Sequence, residues 1–153
     1  MVWKPHLTVA AVIEQNHRFL LVEEETSNGI QFNQPAGHVE ENEDLISAVK
    51  REVYEETAWH FEPEYLVAIQ LWRKDSSAPT FVRVCFSGHC HSFNPAQRLD
   101  NGIIAAHWLS RDQIALKKTQ QGLRSPLVLL SIDDYLNGQR HPLSLLKSFL
   151  DLT

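Results

Sequence analysis

Residues 37–59 read GHVEENEDLISAVKREVYEETAW, and both the fold and the chemistry of the chain turn on this stretch. Asn42 reads as a helix N-cap, with Glu43 and Asp44 in the first turn, where the helix dipole favours negative charge. Leu45, Ile46, Val49 and Val53 recur at helical spacing and predict a helix over about residues 43–57. At ~100° per residue from Leu45, these four make an apolar stripe from ~0° to ~100°. Glu56 falls at ~20°, inside the stripe, while Glu52 at ~340° and Glu55 at ~280° lie along one edge. A carboxylate facing a core protonates or destabilises the fold unless something compensates it. Two acids one turn apart would more often mark a solvated face. The third, inside the stripe, calls for a cation, and hard divalent ions with oxygen ligands are the usual answer.

Outward from this helix, the charge of the chain is its charge. Of 153 residues, 14 are Lys or Arg and 19 Asp or Glu, for a net −5. Between residues 40 and 56, seven acids face only Lys50 and Arg51, an excess of five that equals the whole imbalance. A general nucleic-acid surface would show the opposite sign. No apolar run approaches the ~20 residues of a membrane span, and Leu7 to Ile13 reads as a buried strand rather than a leader. Two cysteines make no disulfide framework, so a cytoplasmic location is expected. Length and composition fit one domain over 1–153.

The remaining chain alternates strand and helix signals. Strands are predicted at His6–Ile13, Phe19–Val22, Tyr65–Trp72, Phe81–Cys90 and Ile103–Leu109, with a loop at Thr26–Gly29 and a break at Gln34–Gly37. Pro126 opens a helix over Leu127–Leu136 that Asn137-Gly138 closes, and a short helix over Leu143–Leu150 follows. This order gives an α/β protein, a mixed sheet covered by helices. Between Phe81 and His91, odd positions share one face and Val82, Val84, Phe86 and Cys90 the other, which reads as the core face. That alternation separates Cys90 from His89 and His91 and speaks against zinc.

Residues 37–59 resemble the Nudix box: Gly, five residues, Glu, seven residues, then Arg-Glu-aliphatic-any-Glu-Glu-any-Gly-aliphatic. Gly37, Glu43, Arg51, Glu52, Val53, Glu55 and Glu56 fall on it. Ala58 stands where the family has glycine and Trp59 where it has a smaller aliphatic residue. If the helix ends in a left-handed residue, alanine there costs ~1–2 kcal/mol. The resemblance implies an α/β/α sandwich with a loop-helix-loop catalytic module. It also implies Mg²⁺- or Mn²⁺-dependent hydrolysis of a small phosphorylated substrate. It makes Glu52, Glu55 and Glu56 metal ligands, with the Gly37 carbonyl completing the shell. Glu52 becomes the base for the attacking water, Arg51 the residue that orients Glu52, and Glu43 a structural residue. In some members the base sits on a distant loop, where Asp100 is the available acid; a plain turn is its weightier reading.

Flanking segments, including Lys4-Pro5-His6, Asn33–His38, Leu123–Val128 and Gly138–Leu143, are similar to a phosphatase branch of the family. That branch removes phosphate from nucleoside tri- and diphosphates and from the pyrophosphate of the thiamine pyrimidine precursor. The alternatives are a pyrophosphohydrolase of a nucleotide sugar, dinucleotide or oxidised nucleotide, and a Nudix-fold binding module without turnover. Substrate contacts are sought in Arg83, in Arg124 and Ser125 before a helix N-terminus, and in Phe32 or Trp72 as a base-stacking ring. The oligomeric state is left open between monomer and homodimer.

Overall fold

The first strand, β1 (His6–Gln15), carries apolar side chains on both faces, and each face has its own cover. A computed structural model describes residues 1–150. After β1 come β2 (Arg18–Thr26), β3 (Gly29–Asn33), β4 (Ala36–His38), α1 (Leu45–Thr57), β5 (His60–Trp72), β6 (Phe81–His91) and β7 (Ile103–Leu109). The helices α2 (Arg111–Thr119) and α3 (Leu127–Leu136) and the short β8 (His141–Pro142) complete the order. Strands run β3-β2-β1-β6-β5-β8, with β4 also on β1 and β7 also on β2. The β1–β6 pair is parallel and the other pairs antiparallel, so the sheet is mixed.

Val9, Ala11 and Ile13 pack with Ala48, Val49 and Val53 of α1. Ala10 and Val12 pack with Ile114 of α2 and with Val128, Leu129 and Ile132 of α3. Helices therefore cover both sides of the sheet, the α/β/α sandwich expected from the sequence. Because α3 covers the odd face of β6, Arg83, Cys85 and Ser87 are buried along with Val84 and Phe86. The expectation of a single core face on β6 is corrected on that point.

Local differences have local causes. Asp44, not Asn42, caps α1, its Oδ1 accepting the Ser47 N–H at 2.7 Å, while Asn42 takes a left-handed φ of 63°. Glu43 and Asp44 consequently precede the first turn. The capping box of Ser110 and Gln113 starts α2, which periodicity had not singled out in so short a helix. The expected helix over Leu143–Leu150 is reduced to one 3-10 turn, Leu143–Leu145. Strands β3 and β4 are too short to show a period, and β4 replaces the expected break. None of the described helices is long and apolar enough to cross a membrane.

Candidate active site

Helix α1 is amphipathic, and the face that packs on the sheet also carries acids. Glu52 and Glu56 are 8% and 7% exposed. Asp100, in the loop before β7, is tied to α1 by its backbone N–H, which donates to the Glu55 carbonyl at 3.0 Å. One carboxylate oxygen from each of Glu52, Glu55 and Asp100 lies within 4.8 Å of the others. The turn reading of Asp100 thus understates where the fold takes it. Glu56 stands outside that trio, its Oε1 accepting the Ala36 N–H at 2.8 Å. Burial pushes the Glu56 carboxyl up to about 9, and the charges of Glu52, Glu24 and Asp100 add to the rise. Burial also raises Glu52, against the pull of Arg51.

Gly37 lies against this cluster. A Cβ at that position would overlap the Glu52 carboxyl group, so glycine leaves the space in which carboxylate and backbone meet. The donor set is all oxygen, its charged members are all acids, and burial runs from buried Glu52 and Glu56 through half-buried Glu55 to exposed Asp100. Such a set fits a hard divalent cation, with Glu52, Glu55, Glu56, the Gly37 carbonyl and Asp100 available to hold it.

Arg51 fixes the geometry of the helix face. Its Nε and Nη2 make a two-point contact with Glu43 at 2.7 and 2.9 Å, and Nη2 also donates to the His38 carbonyl at 3.0 Å. Nη1 reaches Glu52 at 2.8 Å and Glu55 at 3.2 Å. The hydrogen bonds to Glu43 raise the Arg51 pKa and, reciprocally, lower that of Glu43. Glu43 is thus the anchor that lets one guanidinium position two other acids.

Beside the acids opens a cleft of 740 Å³. Its floor is set by strand register. Ala36, Ala10, Cys85 and Ala68 lie level across β4, β1, β6 and β5, but Ala10 and Cys85 are buried in the core with Val128 and Ile132 of α3, and of this row only Ala36 lines the cleft. One step along, His38, Thr8, Arg83 and Gln70 are level, and beyond them His6, Phe81 and Trp72. Of the substrate residues expected from sequence, Arg83, Arg124 and Ser125 line this cleft, as do Trp72, Glu24, Lys74 and Lys118. Arg124 meets Glu24 at 3.7 Å, and Ser125 Oγ accepts the Leu127 N–H at 3.1 Å. Burial raises the Glu24 carboxyl above the ordinary range, and Arg124 partly offsets this. Phe32 does not line the cleft: its neighbours Gln31 and Asn33 do, and alternation turns its ring away, under the Lys117 ammonium at 3.9 Å. Glu24, Lys74 and Lys118 were not found by sequence reasoning, because no local motif marks them.

The NUDIX domain family model matches residues 4–130. Proteins named Phosphatase NudJ from Shigella boydii serotype 4 and Escherichia coli strain K12 are 39% and 37% identical over 147 residues, covering 96% of this chain and 94% of theirs. A solved NUDIX hydrolase from Nitrosomonas europaea superposes with a TM-score of 0.92 at 47% identity, over 97% of this chain and 100% of that one. A UDP-X diphosphatase structure gives 0.73 at 16% identity, over 93% of this chain and 68% of its own, a likeness of fold alone.

Proposed function

The chain belongs to the Nudix family, and on that premise we propose that it is a Mg²⁺- or Mn²⁺-dependent phosphatase of nucleoside tri- and diphosphates and small pyrophosphates. The pyrophosphate of the thiamine pyrimidine precursor belongs to the same proposed set. Hydrolysis of a phosphoanhydride bond follows from the family and from the phosphatases the chain is similar to. The observation that carries the reading is the meeting of Glu52, Glu55 and Asp100 within 4.8 Å, beside buried Glu56, at a cleft lined with Arg83, Lys74, Lys118 and Arg124.

Glu52, Glu55, Glu56 and the Gly37 carbonyl hold the cation in this proposal, with Asp100 as a further oxygen donor. When bound, the cation lowers the pKa of water and neutralises charge on the phosphate oxygens. A water oxygen attacks phosphorus, the bond from that phosphorus to the bridging oxygen breaks, and the water proton passes to the Glu52 carboxylate. Arg51 holds the Glu52 carboxylate in line for that role, its Nη1 donating at 2.8 Å. Asp100 stands close enough to Glu52 to share the role of base.

The test is turnover of nucleoside tri- and diphosphates with Mg²⁺ or Mn²⁺, with products separated by chromatography. Stepwise release of orthophosphate is expected. Pyrophosphate and nucleoside monophosphate from a triphosphate would instead assign a pyrophosphohydrolase. No turnover by folded, metal-loaded protein across diphosphates of every class would leave a binding module.

A further inference from the structure

Among the described residues that line the cleft, Glu24 is the only acid, set among Arg83, Lys74, Lys118 and Arg124. It lies on β2, where the register against β7 shifts between Glu23 and Glu24, an irregularity of the kind that re-aims side chains beside a site. Its side chain is 19% exposed, and among the described residues no N–H or O–H hydrogen-bonds to it. Arg124 Nη1 stays 3.7 Å away, an ion pair too long for a hydrogen bond. Burial without such partners leaves the charge poorly solvated, and the carboxyl rises above its ordinary range.

The donors that could serve Glu24 are engaged elsewhere. Gln31 stands directly opposite it on β3. The Gln31 Nε2 group donates instead to the Gln121 and Leu123 carbonyls, at 3.4 and 3.3 Å. Thr26 Oγ1 has a single hydrogen and lies 2.7 Å from the Gly29 carbonyl and 3.0 Å from Gln31 Oε1. Nor do the Glu24 oxygens join the Glu52, Glu55 and Asp100 set. What the carboxylate lacks is a donor from outside the protein. An ionised carboxylate only accepts, so it repels phosphate oxygens and base carbonyls alike and favours an N–H or O–H.

We propose that Glu24 is a specificity residue of the cleft, accepting a hydrogen bond from an amine or hydroxyl on the organic group that carries the phosphates. The anionic chain is drawn to the surrounding cations and held off by Glu24, which leaves the carboxylate to the uncharged end of the ligand. This rests on the hydrolase reading of the same site but concerns binding alone.

The test is calorimetric titration of the Mg²⁺-loaded protein with the α,β-methylene analogues of cytidine, uridine and dideoxycytidine diphosphate, and with methylenediphosphonate. Uridine has a carbonyl where cytidine has its amine, and the dideoxy sugar has lost both hydroxyls. The wild-type protein is expected to favour the cytidine analogue about 10- to 100-fold over whichever of the other two lacks the donor, the range for a hydrogen bond to a charged group. A preference over the uridine analogue identifies an amine, and one over the dideoxy analogue a hydroxyl. Glu24→Ala is expected to abolish that preference. Glu24→Gln, which keeps a carbonyl oxygen, is expected to leave part of it, and serves alone if the alanine variant does not fold. Methylenediphosphonate is expected to bind both variants more tightly than wild type, because a like charge has gone. The proposal is overturned if wild type shows neither preference, or if the preference survives undiminished in the variant tested. It is also overturned if methylenediphosphonate weakens in step with the nucleotides, which would make Glu24 part of the cation's site. Because no analogue is hydrolysed, failure of the phosphatase reading in a turnover assay leaves this result intact.

Discussion

The two ends of the candidate site, the acidic cluster and the cleft beside it, are charged in opposite senses and are built in opposite ways. At one end, Glu52, Glu55 and Asp100 crowd together with Glu56 nearby, and one guanidinium, Arg51, holds the set in position. At the other, Arg83 is held by the neutral acceptors Gln70, Ser131, Asn33 and Gln34, and Lys74, Lys118 and Arg124 line the same cleft. Neither end balances itself. On the proposed reading a divalent cation would complete the first and substrate phosphate oxygens would meet the second, so a metal–phosphate ligand would serve both at once. The comparison teaches that the site is specified by what each half lacks.

The largest effect is expected where the acidic end is broken. Glu56→Gln should reduce turnover by roughly three orders of magnitude in a phosphate-release assay while far-UV circular dichroism stays native. The same residue sets a pH dependence in the metal-free protein. The folded Glu56 pKa of about 9 lies above the ordinary carboxylate value, so between about pH 4.5 and 9 the folded state holds a proton that the unfolded chain has lost. Stability of metal-free protein should therefore fall as pH rises through that window, most of the loss complete near pH 9. Glu56→Gln should flatten the slope, and divalent cation should restore stability most at the alkaline end. A thermal midpoint in chelator that is flat with pH would break the assignment.

Gly37→Ala comes next in size. The backbone at Gly37 is open to any residue, so the substitution tests only the overlap with the Glu52 carboxyl group. Turnover and cation affinity are expected to fall about 10- to 100-fold, with a stability loss of ~1–3 kcal/mol. This pair also shows what the sequence could reveal. Glu52 and Glu56 are legible because a helix writes its faces into sequence at a fixed period, and Arg51 and Glu43 follow from the same segment. Asp100 and Arg83 are named by sequence, but their places are not. A loop hydrogen bond to Glu55 settles the first, and the register of β4, β1, β6 and β5 settles the second. Strand register is a long-range property, so the row His38–Thr8–Arg83–Gln70 has no trace in any local window. Phe32 differs: alternation with Gln31 and Asn33 turns its ring from the cleft, and what covers it there is Lys117 of α2.

A smaller effect is expected at the basic end away from Arg83. Arg124 is about half exposed and already meets Glu24 at 3.7 Å, so water and a carboxylate share its charge. Arg124→Gln should raise KM for a nucleoside triphosphate by about 2- to 5-fold with kcat little changed, and the difference should shrink as salt is added. A loss above about 10-fold that did not shrink with salt would show that Arg124 is not a screened rim cation.

The smallest change concerns neither end but the helix that carries the acids. Ala58 closes α1 in a left-handed conformation with φ 64°, its N–H donating to the Tyr54 carbonyl at 2.9 Å. The family glycine at this position would adopt that φ without a Cβ clash, so alanine here carries the strain that the sequence led one to expect. Ala58→Gly relieves it but loses buried methyl contacts and adds freedom to the unfolded chain, which leaves a net gain of ~0.5–1 kcal/mol. For a chain of this size the thermal midpoint should rise about 1–3 °C. Turnover should not change, because the helix end lies beyond Glu56 and Arg51 holds Glu52 and Glu55 from within the helix. If turnover moved with stability in this variant, the strained end of α1 would have to be counted as part of the acidic half.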